Sequence, residues 1–482
     1  MKTLVVALLL LVPLGALYPS DSVFVNDEPR FLGLAVELNR TGAWPSCGLM
    51  GSRGVPQGPL PIWVHAVLLR AWPDPEDVVL VRTLAARLLV AISVVVIALA
   101  VPALAAPAGA VALLAPYSWI FGRELWDMAL MVPLAALAVA AYVSFCAAPR
   151  RWKIALAVAA AALALLTHLT AAALAGGLAL HFAWFHRPWA RRHPWTVLAL
   201  AAAGAAATGP YLACVVGAAS AAGRPAADSA GSVLHGLANA ATGGMWFSTR
   251  GFEGYFGDAW PFRPFPAAVE WAAPALVTFT WLSLFLVWFG GLWSVNRILE
   301  ARRRRRPLDT LDHAALVALF IVAAQAVVGA WTRSGPSYQV ATWPAHFLLL
   351  WIGLGARRPR RPVPLAFRLS VLGWAAAVAV VTALTIRMVH RTGGNQLEFW
   401  GPSLRTQIAA VRTLARWNPA SPVRYEVPNW IRYPHAPLAL RYCLGIHGSP
   451  TGPRRRLVVR PASADPDVGW ITVEEEGNRR RQ

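Results

Sequence analysis

The sequence predicts an all-α polytopic membrane protein with a small extracytoplasmic α/β segment at its C-terminus. Of its 482 residues, 57% are hydrophobic and only 14% are charged. An average soluble domain carries roughly a quarter charged residues. Here the apolar residues gather in runs, several of which approach the roughly twenty residues that a spanning helix needs. These two observations exclude a soluble globular protein.

Apolar runs recur from the N-terminus to residue 386. The first follows Lys2, and because Leu17-Tyr18-Pro19 offers no small-x-small cleavage site, we interpret it as a retained helix rather than a signal peptide. The later runs lie at residues 78–103, 107–121, 125–147, 153–167, 169–186, 195–216, 268–294, 313–331, 339–356 and 363–386. Together they predict about eleven spans. The short pair from 153 to 186 must turn at Thr167 and His168.

The basic residues lie mostly between the apolar runs and predict the orientation. Lys and Arg number 44 against 23 Asp and Glu, a formal net charge of +21. Such a balance would suggest nucleic-acid binding in a soluble protein, but clusters between spans follow the positive-inside rule instead. With the N-terminus inside, the inner loops carry Arg150, Arg151, Lys153, Arg187, Arg191, Arg192, Arg297, Arg302 to Arg306, Arg357, Arg358, Arg360 and Arg361. The short outer turns carry only Arg123 and Arg333, so we expect a cytoplasmic N-terminus and an extracytoplasmic C-terminus.

Three outer segments accompany the membrane domain, which we assign to residues 1–386. The first loop, residues 20–79, is polar and broken by Gly and Pro, and the second, residues 217–267, is rich in Gly and aromatic residues. Residues 387–482 form an outer tail. Its apolar residues recur at helical spacing at first and then form short strand-like runs, which predicts a small α/β domain.

The four cysteines show no CxxC spacing, so neither a zinc site nor a redox pair is indicated. Cys146 and Cys214 fall in apolar runs and are interpreted as packing residues. Cys47 and Cys443 both fall in predicted outer segments, where an oxidising compartment would allow a disulfide between them. The sequence leaves that pairing open.

Two adjacent carboxylates, Asp27 and Glu28, follow the first span at the predicted outer interface. As structure, Asn26 or Asp27 would cap an amphipathic interfacial helix with Pro29 in its first turn. The apolar face of that helix would comprise Phe31, Leu34, Ala35 and Leu38. As chemistry, one carboxylate would face a site at the membrane surface and act as a general base. The two interpretations carry equal weight from this motif alone.

Residues in the outer turns form the second group of candidates. Arg123 and Asp127 are spaced i,i+4, either as an interfacial ion pair or as a phosphate-binding Arg with a supporting Asp. Arg333 stands in a short turn with Tyr338, either as a phosphate ligand or as a snorkelling interfacial Arg. His168 would lie near the outer surface, where a lone His more often packs or forms hydrogen bonds than reacts.

In order and placement these motifs resemble the GT-C superfamily of membrane glycosyltransferases. The pattern is closest to the branch of protein O-mannosyltransferases and aminoarabinose–lipid A transferases. The stretches Asn26-Asp27-Glu28-Pro29 and Phe121–Leu130 carry the likeness, together with the Gly/Pro-rich residues 51–61 and the late Tyr/Pro-bearing turn. The resemblance covers residues 1–360.

The resemblance implies an inverting glycosyltransferase at the outer face of a bacterial inner membrane. Its donor would be a sugar on a polyprenyl phosphate, and its acceptor a lipid, a glycan or a protein. Glu124 beside Arg123 and the C-terminal tail depart from the pattern, which leaves the donor sugar and the acceptor open. Nucleic acid has no part in this function.

The resemblance also implies roles for the candidate residues. Asp27 would be the base, with Glu28 as its neighbour or as a contact to a divalent cation, and no other cofactor is implied. Arg123 and Arg333 would lie near the donor phosphate, because a guanidinium pairs bidentately with phosphate. The supporting residues would be Asp127, Tyr338 and His168.

Two other function classes remain open. A secondary transporter or lipid-linked-sugar flippase would place ionisable residues and broken helices at mid-bilayer. Here the acidic candidates gather at one interface, and the span interiors are nearly uncharged. A non-catalytic assembly or sensor protein could keep the same fold. Cleavage of the donor would distinguish a transferase from both.

Overall fold

The structure is a computed structural model. It describes residues 1–22, 24, 27–51, 54–104, 109, 111–114, 121–123, 125–221, 229–242, 273–332, 340–355, part of 373–391, 403–409 and three strands. The helices within these residues are α1 Lys2–Leu14, α2 Glu28–Thr41, α3 Leu60–Ala71, α4 Pro75–Ala100, α5 Val111–Leu114, α6 Asp127–Ala147, α7 Arg151–Leu165, α8 Ala172–Phe185, α9 Arg187–Arg192, α10 Pro194–Ala221, α11 Ser229–Thr242, α12 Ala273–Arg303, α13 Thr310–Thr332 and α14 Trp343–Gly355. Short 3₁₀ helices cover Pro19–Asp21, Pro102–Leu104, Phe121–Arg123 and Leu169–Ala171. The strands are β1 Val423–Glu426, β2 Arg455–Val459 and β3 Ile471–Glu475.

Five of the described helices are long and apolar enough to cross a membrane, namely α4, α6, α10, α12 and α13. Shorter apolar helices lie at Lys2–Leu14, Leu60–Ala71, Leu169–Phe185 and Val340–Leu354. A helical multi-pass membrane protein is therefore confirmed. The count of about eleven spans stays a prediction, because the runs 107–121 and 363–386 lie largely outside the described residues.

The short run from 153 to 186 forms two helices, as the sequence predicts. Helix α7 ends at Leu165, and α8 starts at Ala172 after a 3₁₀ turn. His168 precedes that turn, and its Nδ1 accepts a hydrogen bond of 3.2 Å from the backbone N–H of Thr170. The side chain thus satisfies a donor that the start of a helical turn leaves without a partner.

The main core lies between the membrane helices, with α6 at its centre. Alanines fill much of this helix, and small side chains let neighbouring helices approach closely. Gly177 shows the same principle between α8 and α13. A Cβ placed on it would lie 2.5 Å from the Cα of Ile321, so these two backbones are nearly in contact.

A second core lies within the first outer segment, which is more ordered than the predicted loop 20–79. It holds α2 and also α3, a helix that was not predicted. Their apolar faces pack together through Phe31, Leu32, Ala35, Leu38, Ile62, Ala66 and Leu69. Leu34 was predicted to join this face but is 38% exposed, because α3 covers the other side of α2.

The described part of the C-terminal tail contains both helix and sheet. A short helix over residues 404–409 packs on the second core through Leu404 and Ile408. The strands form one sheet in the order β1-β2-β3, with β1 parallel to β2 and β2 antiparallel to β3. The backbone N–H of Leu404 donates to Ser22 O over 3.0 Å, so the tail returns to the end of the first span.

Candidate active site

Two carboxylates at the start of one helix and a third at the start of another lie near each other at one end of the bundle. Asp27 and Glu28 stand at the start of α2, and Asp127 is the first residue of α6. The charges of both Asp27 and Glu28 act on Asp127. Glu28 and Asp127 are buried, whereas the Asp27 side chain is 24% exposed and pairs with Arg30 over 3.0 Å. Asp27 is therefore the carboxylate that a substrate reaches most readily.

Asp127 has one satisfied oxygen and one unsatisfied oxygen. Its Oδ1 accepts from the backbone N–H of Met128 over 2.8 Å. Its Oδ2 is buried without a hydrogen-bond partner among the described residues. A buried oxygen without a partner is costly, and it is well suited to a proton or a cation. Carboxylate oxygens are the ligands that a hard divalent cation prefers, but among the described residues these three are not a group close enough to hold one ion as they stand.

Arg123 and Asp127 do not share one helix, in contrast to the i,i+4 prediction. Arg123 ends a 3₁₀ helix and is almost completely buried. Its Nε and Nη2 donate to Gly15 O over 3.2 and 3.0 Å, and its Nη1 donates to Tyr18 O over 2.9 Å. Burial lowers the pKa of Arg123 well below its ordinary value, the nearby Arg87 lowers it further, and Asp21 opposes them.

Helix α4 contains two buried arginines, Arg82 and Arg87. The prediction that the span interiors are nearly uncharged is therefore wrong for this helix. Arg82 donates to Gly122 O over 3.2 Å. Arg87 donates to the carbonyls of Leu11, Val12 and Leu113. Arg87 thus holds two of the last carbonyls of α1, which have no partner within that helix, and Arg123 holds the carbonyl of Gly15 directly after it. The sequence could have indicated these buried charges, because both arginines fall inside the apolar run 78–103.

The Gly/Pro-rich part of the first loop lies across the top of the α7–α8 hairpin. Gly58 N donates to Thr167 O over 2.9 Å, and Leu60 N donates to Leu166 O over 3.0 Å. A Cβ placed on Gly58 would lie only 1.8 Å from Leu166 O. The loop can approach the hairpin this closely because residue 58 has no side chain.

Helix α10 is joined to the same loop by a hydrogen bond and a disulfide. The Tyr211 hydroxyl donates to Pro56 O over 3.1 Å, and Cys47 is bonded to Cys214. The interpretation of Cys214 as a packing residue is therefore wrong, and Cys47 does not pair with Cys443. Cys214 lies in the last third of α10, close to the loop. Tyr211 also lies close enough to Asp127 for an electrostatic interaction, so a phenol is near this carboxylate.

The remaining predicted residues contribute less to this cluster. His168 caps the 3₁₀ turn after α7, and burial lowers its pKa to about 4, so the ring is neutral at physiological pH. This agrees with the hydrogen-bonding interpretation of His168. Arg333 and Tyr338 lie outside the described residues, as does Glu124, and their roles stay predictions.

An apolar cavity of about 360 Å³ lies between α6, α7, α8 and α10. Leu165 and Thr208 line one end of it, within one helical turn of Leu166 and Tyr211 respectively. Its other end is lined by Tyr142 and Trp189. Aliphatic and aromatic walls of this kind suit the hydrocarbon chain of a lipid.

No family model matches the sequence, and no curated protein matches it. Among solved structures, the crystal structure of ArnT from Cupriavidus metallidurans in the apo state is similar, with a TM-score of 0.51 and 16% identity. The match covers 95% of this chain and 93% of that chain. The chain has a GT-C-like fold.

A crystal structure of ArnT from the same organism bound to undecaprenyl phosphate is also similar, with a TM-score of 0.47 and 14% identity, covering 94% of this chain and 93% of that one. The similarity to the apo structure confirms the predicted GT-C-like fold, and the roles of the residues in the motifs stay predictions. In this GT-C-like chain the described carboxylates stand at the starts of α2 and α6, where they could accept a proton from a hydroxyl group.

Proposed function

We propose that the protein is an inverting glycosyltransferase. It moves a sugar from a polyprenyl-phosphate donor to a hydroxyl group of a lipid, glycan or protein acceptor, at the outer face of a bacterial inner membrane. The observation that carries the proposal is the meeting of Asp27, Glu28 and Asp127 at one end of a GT-C-like fold.

The proposal includes a topology with about eleven spans and a cytoplasmic N-terminus. Residues 1–386 form the membrane domain, with outer loops at 20–79 and 217–267, and residues 387–482 form an outer α/β domain. In support, the disulfide and the carboxylates lie at helix ends that this topology directs outward. The cluster Arg150–Lys153 lies at the opposite end of α6 and α7, as the positive-inside rule requires.

Asp27 serves as the general base in this mechanism. Its carboxylate takes the proton of the acceptor hydroxyl, and the hydroxyl oxygen attacks the anomeric carbon opposite the phosphate. The bond between that carbon and the phosphate oxygen breaks, and its electron pair leaves with the polyprenyl phosphate. One displacement inverts the anomeric centre. Asp27 forms an ion pair with Arg30 and is partly exposed, whereas Glu28 is buried next to it in the chain.

Donor binding needs cations for the phosphate and apolar surface for the polyprenyl chain. Arg123 and Arg333 are the proposed phosphate ligands, and Arg123 would exchange its bonds to Gly15 O or Tyr18 O for the phosphate. The cavity between α6, α7, α8 and α10 would hold the chain. A divalent cation held by Asp27 and Glu28 would supply further positive charge for the leaving phosphate.

The base assignment is tested in lipid vesicles that contain the purified protein, a panel of undecaprenyl-phosphoryl sugars and bacterial envelope lipids as acceptors. The measured quantity is undecaprenyl phosphate released per unit time. Because a general base contributes about 10²–10⁴-fold, Asp27→Asn should reduce the rate by at least about 10²-fold.

The matched control is Glu37→Gln, on the exposed side of the same helix, where Glu37 pairs with Arg40 over 2.6 Å. This variant should keep the wild-type rate. A wild-type rate in Asp27→Asn would remove Asp27 from the role of base. If Glu28→Gln lost the activity in its place, the role would pass to Glu28.

A flippase is the second candidate, and the buried Arg82 and Arg87 of α4 are the observation that favours it. Ionisable residues inside a span often mark a transport pathway. Both side chains, however, donate to main-chain carbonyls of neighbouring segments, which gives them a structural role. In the same vesicles a flippase would move the donor across the bilayer without releasing undecaprenyl phosphate.

A further inference from the structure

A second cluster of reactive side chains lies at the opposite end of the bundle from the carboxylates. Cys146 stands near the end of α6, His181 lies in the last turns of α8, His186 follows α8, and His313 lies in the first turn of α13. Ligand atoms of Cys146, His181 and His186 all lie within 4.8 Å of one another. His313 Nδ1 lies 3.5 Å from His181 Nε2. One thiol and three imidazoles therefore converge from three helical segments.

Two separations within this cluster are close to those of neighbouring ligands on one tetrahedral ion. Zinc binds sulfur at about 2.3 Å and nitrogen at about 2.0 Å, which sets sulfur and nitrogen ligands roughly 3.5 Å apart and two nitrogens roughly 3.3 Å apart. Cys146 Sγ lies 3.5 Å from His186 Nε2, and the His181–His313 separation is also 3.5 Å. Each pair is therefore spaced like two ligands of one ion. His313 is outside the set whose ligand atoms lie within 4.8 Å of one another, so its ring must move toward Cys146 and His186 to join them on the same ion.

Tyr142 supplies the outer contact that a metal-binding histidine normally has. Its hydroxyl lies 2.9 Å from His181 Nδ1. If Nδ1 carries the proton and donates to that hydroxyl, Nε2 keeps a lone pair directed at the cluster. Histidine ligands usually make such a bond through the ring nitrogen that does not touch the metal, and the bond fixes both tautomer and ring orientation.

Aromatic rings pack against two of the histidines, whereas Cys146 and His313 are only partly buried. The ring of Phe145 lies 4.9 Å from that of His186, and the ring of Phe185 lies 4.8 Å from that of His181. The His181 side chain is completely buried, and His186 is 8% exposed. A closed set of four ligands in an apolar shell is typical of structural rather than catalytic zinc sites.

We propose that Cys146, His181, His186 and His313 bind one zinc ion, which ties the ends of α6, α8 and α13 together. A thiolate and imidazoles suit this borderline-soft ion. On binding, the Cys146 thiol gives its proton to solvent, and zinc takes the thiolate. The sequence-based prediction that no zinc site is indicated did not detect this cluster, because its ligands come from separate helices and have no fixed spacing in the chain.

The first test measures zinc in full-length protein purified in detergent without a polyhistidine tag. After removal of loosely bound ions, mass spectrometry should find about one zinc per chain, as a closed four-ligand site requires. Cys146→Ser and His186→Ala should lose most of it. The control His193→Ala removes a nearby histidine whose Nδ1 contacts Trp189 O, and it should keep the wild-type zinc content.

Two further measurements distinguish a zinc site from a folding defect or an adventitious ion. Cobalt added to zinc-free protein should give a thiolate-to-metal charge-transfer band in wild type and His193→Ala, and none in Cys146→Ser. A strong chelator should lower the thermal midpoint of wild type and leave that of Cys146→Ser unchanged. If wild type binds no zinc, or if its zinc content and cobalt band survive in Cys146→Ser, the proposal is overturned and the cluster is a hydrogen-bonded group of histidines.

Discussion

Gly58 decides how closely the first outer loop approaches the α7–α8 hairpin. A Cβ at this position would lie 1.8 Å from Leu166 O, and main-chain atoms on both sides leave little room to move. We expect Gly58→Ala to lower the free energy of unfolding by about 1–3 kcal/mol, the usual cost of overpacking. The measurement is the thermal midpoint of the purified protein in detergent.

Gly217→Ala is the matched control for this prediction. Gly217 lies in α10, and a Cβ placed on it meets nothing within 4 Å. Because alanine favours a helix over glycine by about 1 kcal/mol, the midpoint of this variant should stay or rise. Equal decreases in the two variants would mean that Gly58 has no special contact.

The residues of the candidate site differ in how far the sequence could predict them. Asp27 and Glu28 were predictable because two carboxylates directly after an apolar run are conspicuous. The partners of Arg123 were not predictable. They are main-chain carbonyls, which every residue has, so the residue types do not indicate them. The proximity of Asp127 to the acidic pair also needs the tertiary fold, although the predicted topology had placed all three residues at the outer face.

At the scale of elements, the disulfide ties the first loop to α10. Without reduction, peptide mapping should recover one cross-linked peptide that contains Cys47 and Cys214. A linkage of Cys47 to Cys443 would contradict the structure. Cys47→Ser should reduce the free energy of unfolding by about 2–5 kcal/mol, as removal of native disulfides commonly does. Reducing agent should destabilise wild type in the same way and leave Cys47→Ser unaffected.

Helix α3 shows why one element escaped prediction. Its twelve residues, Leu60–Ala71, are too few for a span and follow a segment dense in Gly and Pro. Sequence patterns therefore placed it in a loop. Its apolar residues pack against α2, and Leu60 and Trp63 also pack against the small core around Leu166 and Tyr211, so only the tertiary fold supplies its partners. The turn at His168, by contrast, was predictable because the apolar run there is too long for one helix and too short for two long ones.

At the scale of the whole molecule, the proposed topology separates an outer end with the carboxylates from an inner end with basic loops. At the proposed inner end, acidic side chains neutralise part of the positive charge of the basic loop. Asp312 is buried and lies 2.6 Å from Arg297 and 2.7 Å from Arg306. The excess of basic residues in this loop is nevertheless large, as the positive-inside rule expects of the proposed cytoplasmic side.

The orientation predicts which side of the membrane each end faces. In cells carrying a Cys443→Ser background, Arg40→Cys should react with a membrane-impermeant maleimide from outside. Arg151→Cys should react only after the inner membrane is opened. Both positions lie at the ends of described helices, and the Arg40 side chain is exposed. The reverse labelling pattern would place the carboxylates in the cytoplasm and exclude an outer-face transferase.

The central claim is that the protein breaks the bond between a sugar and a polyprenyl phosphate. Its most direct test follows wild-type protein in vesicles with undecaprenyl-phosphoryl sugars and envelope lipids, and records both released undecaprenyl phosphate and the anomeric configuration of the glycosylated product by NMR. We predict release of undecaprenyl phosphate in equal amount to a product of inverted configuration. Donor that crosses the bilayer intact, with no undecaprenyl phosphate released, would contradict the account, and a product of retained configuration would contradict its single-displacement mechanism.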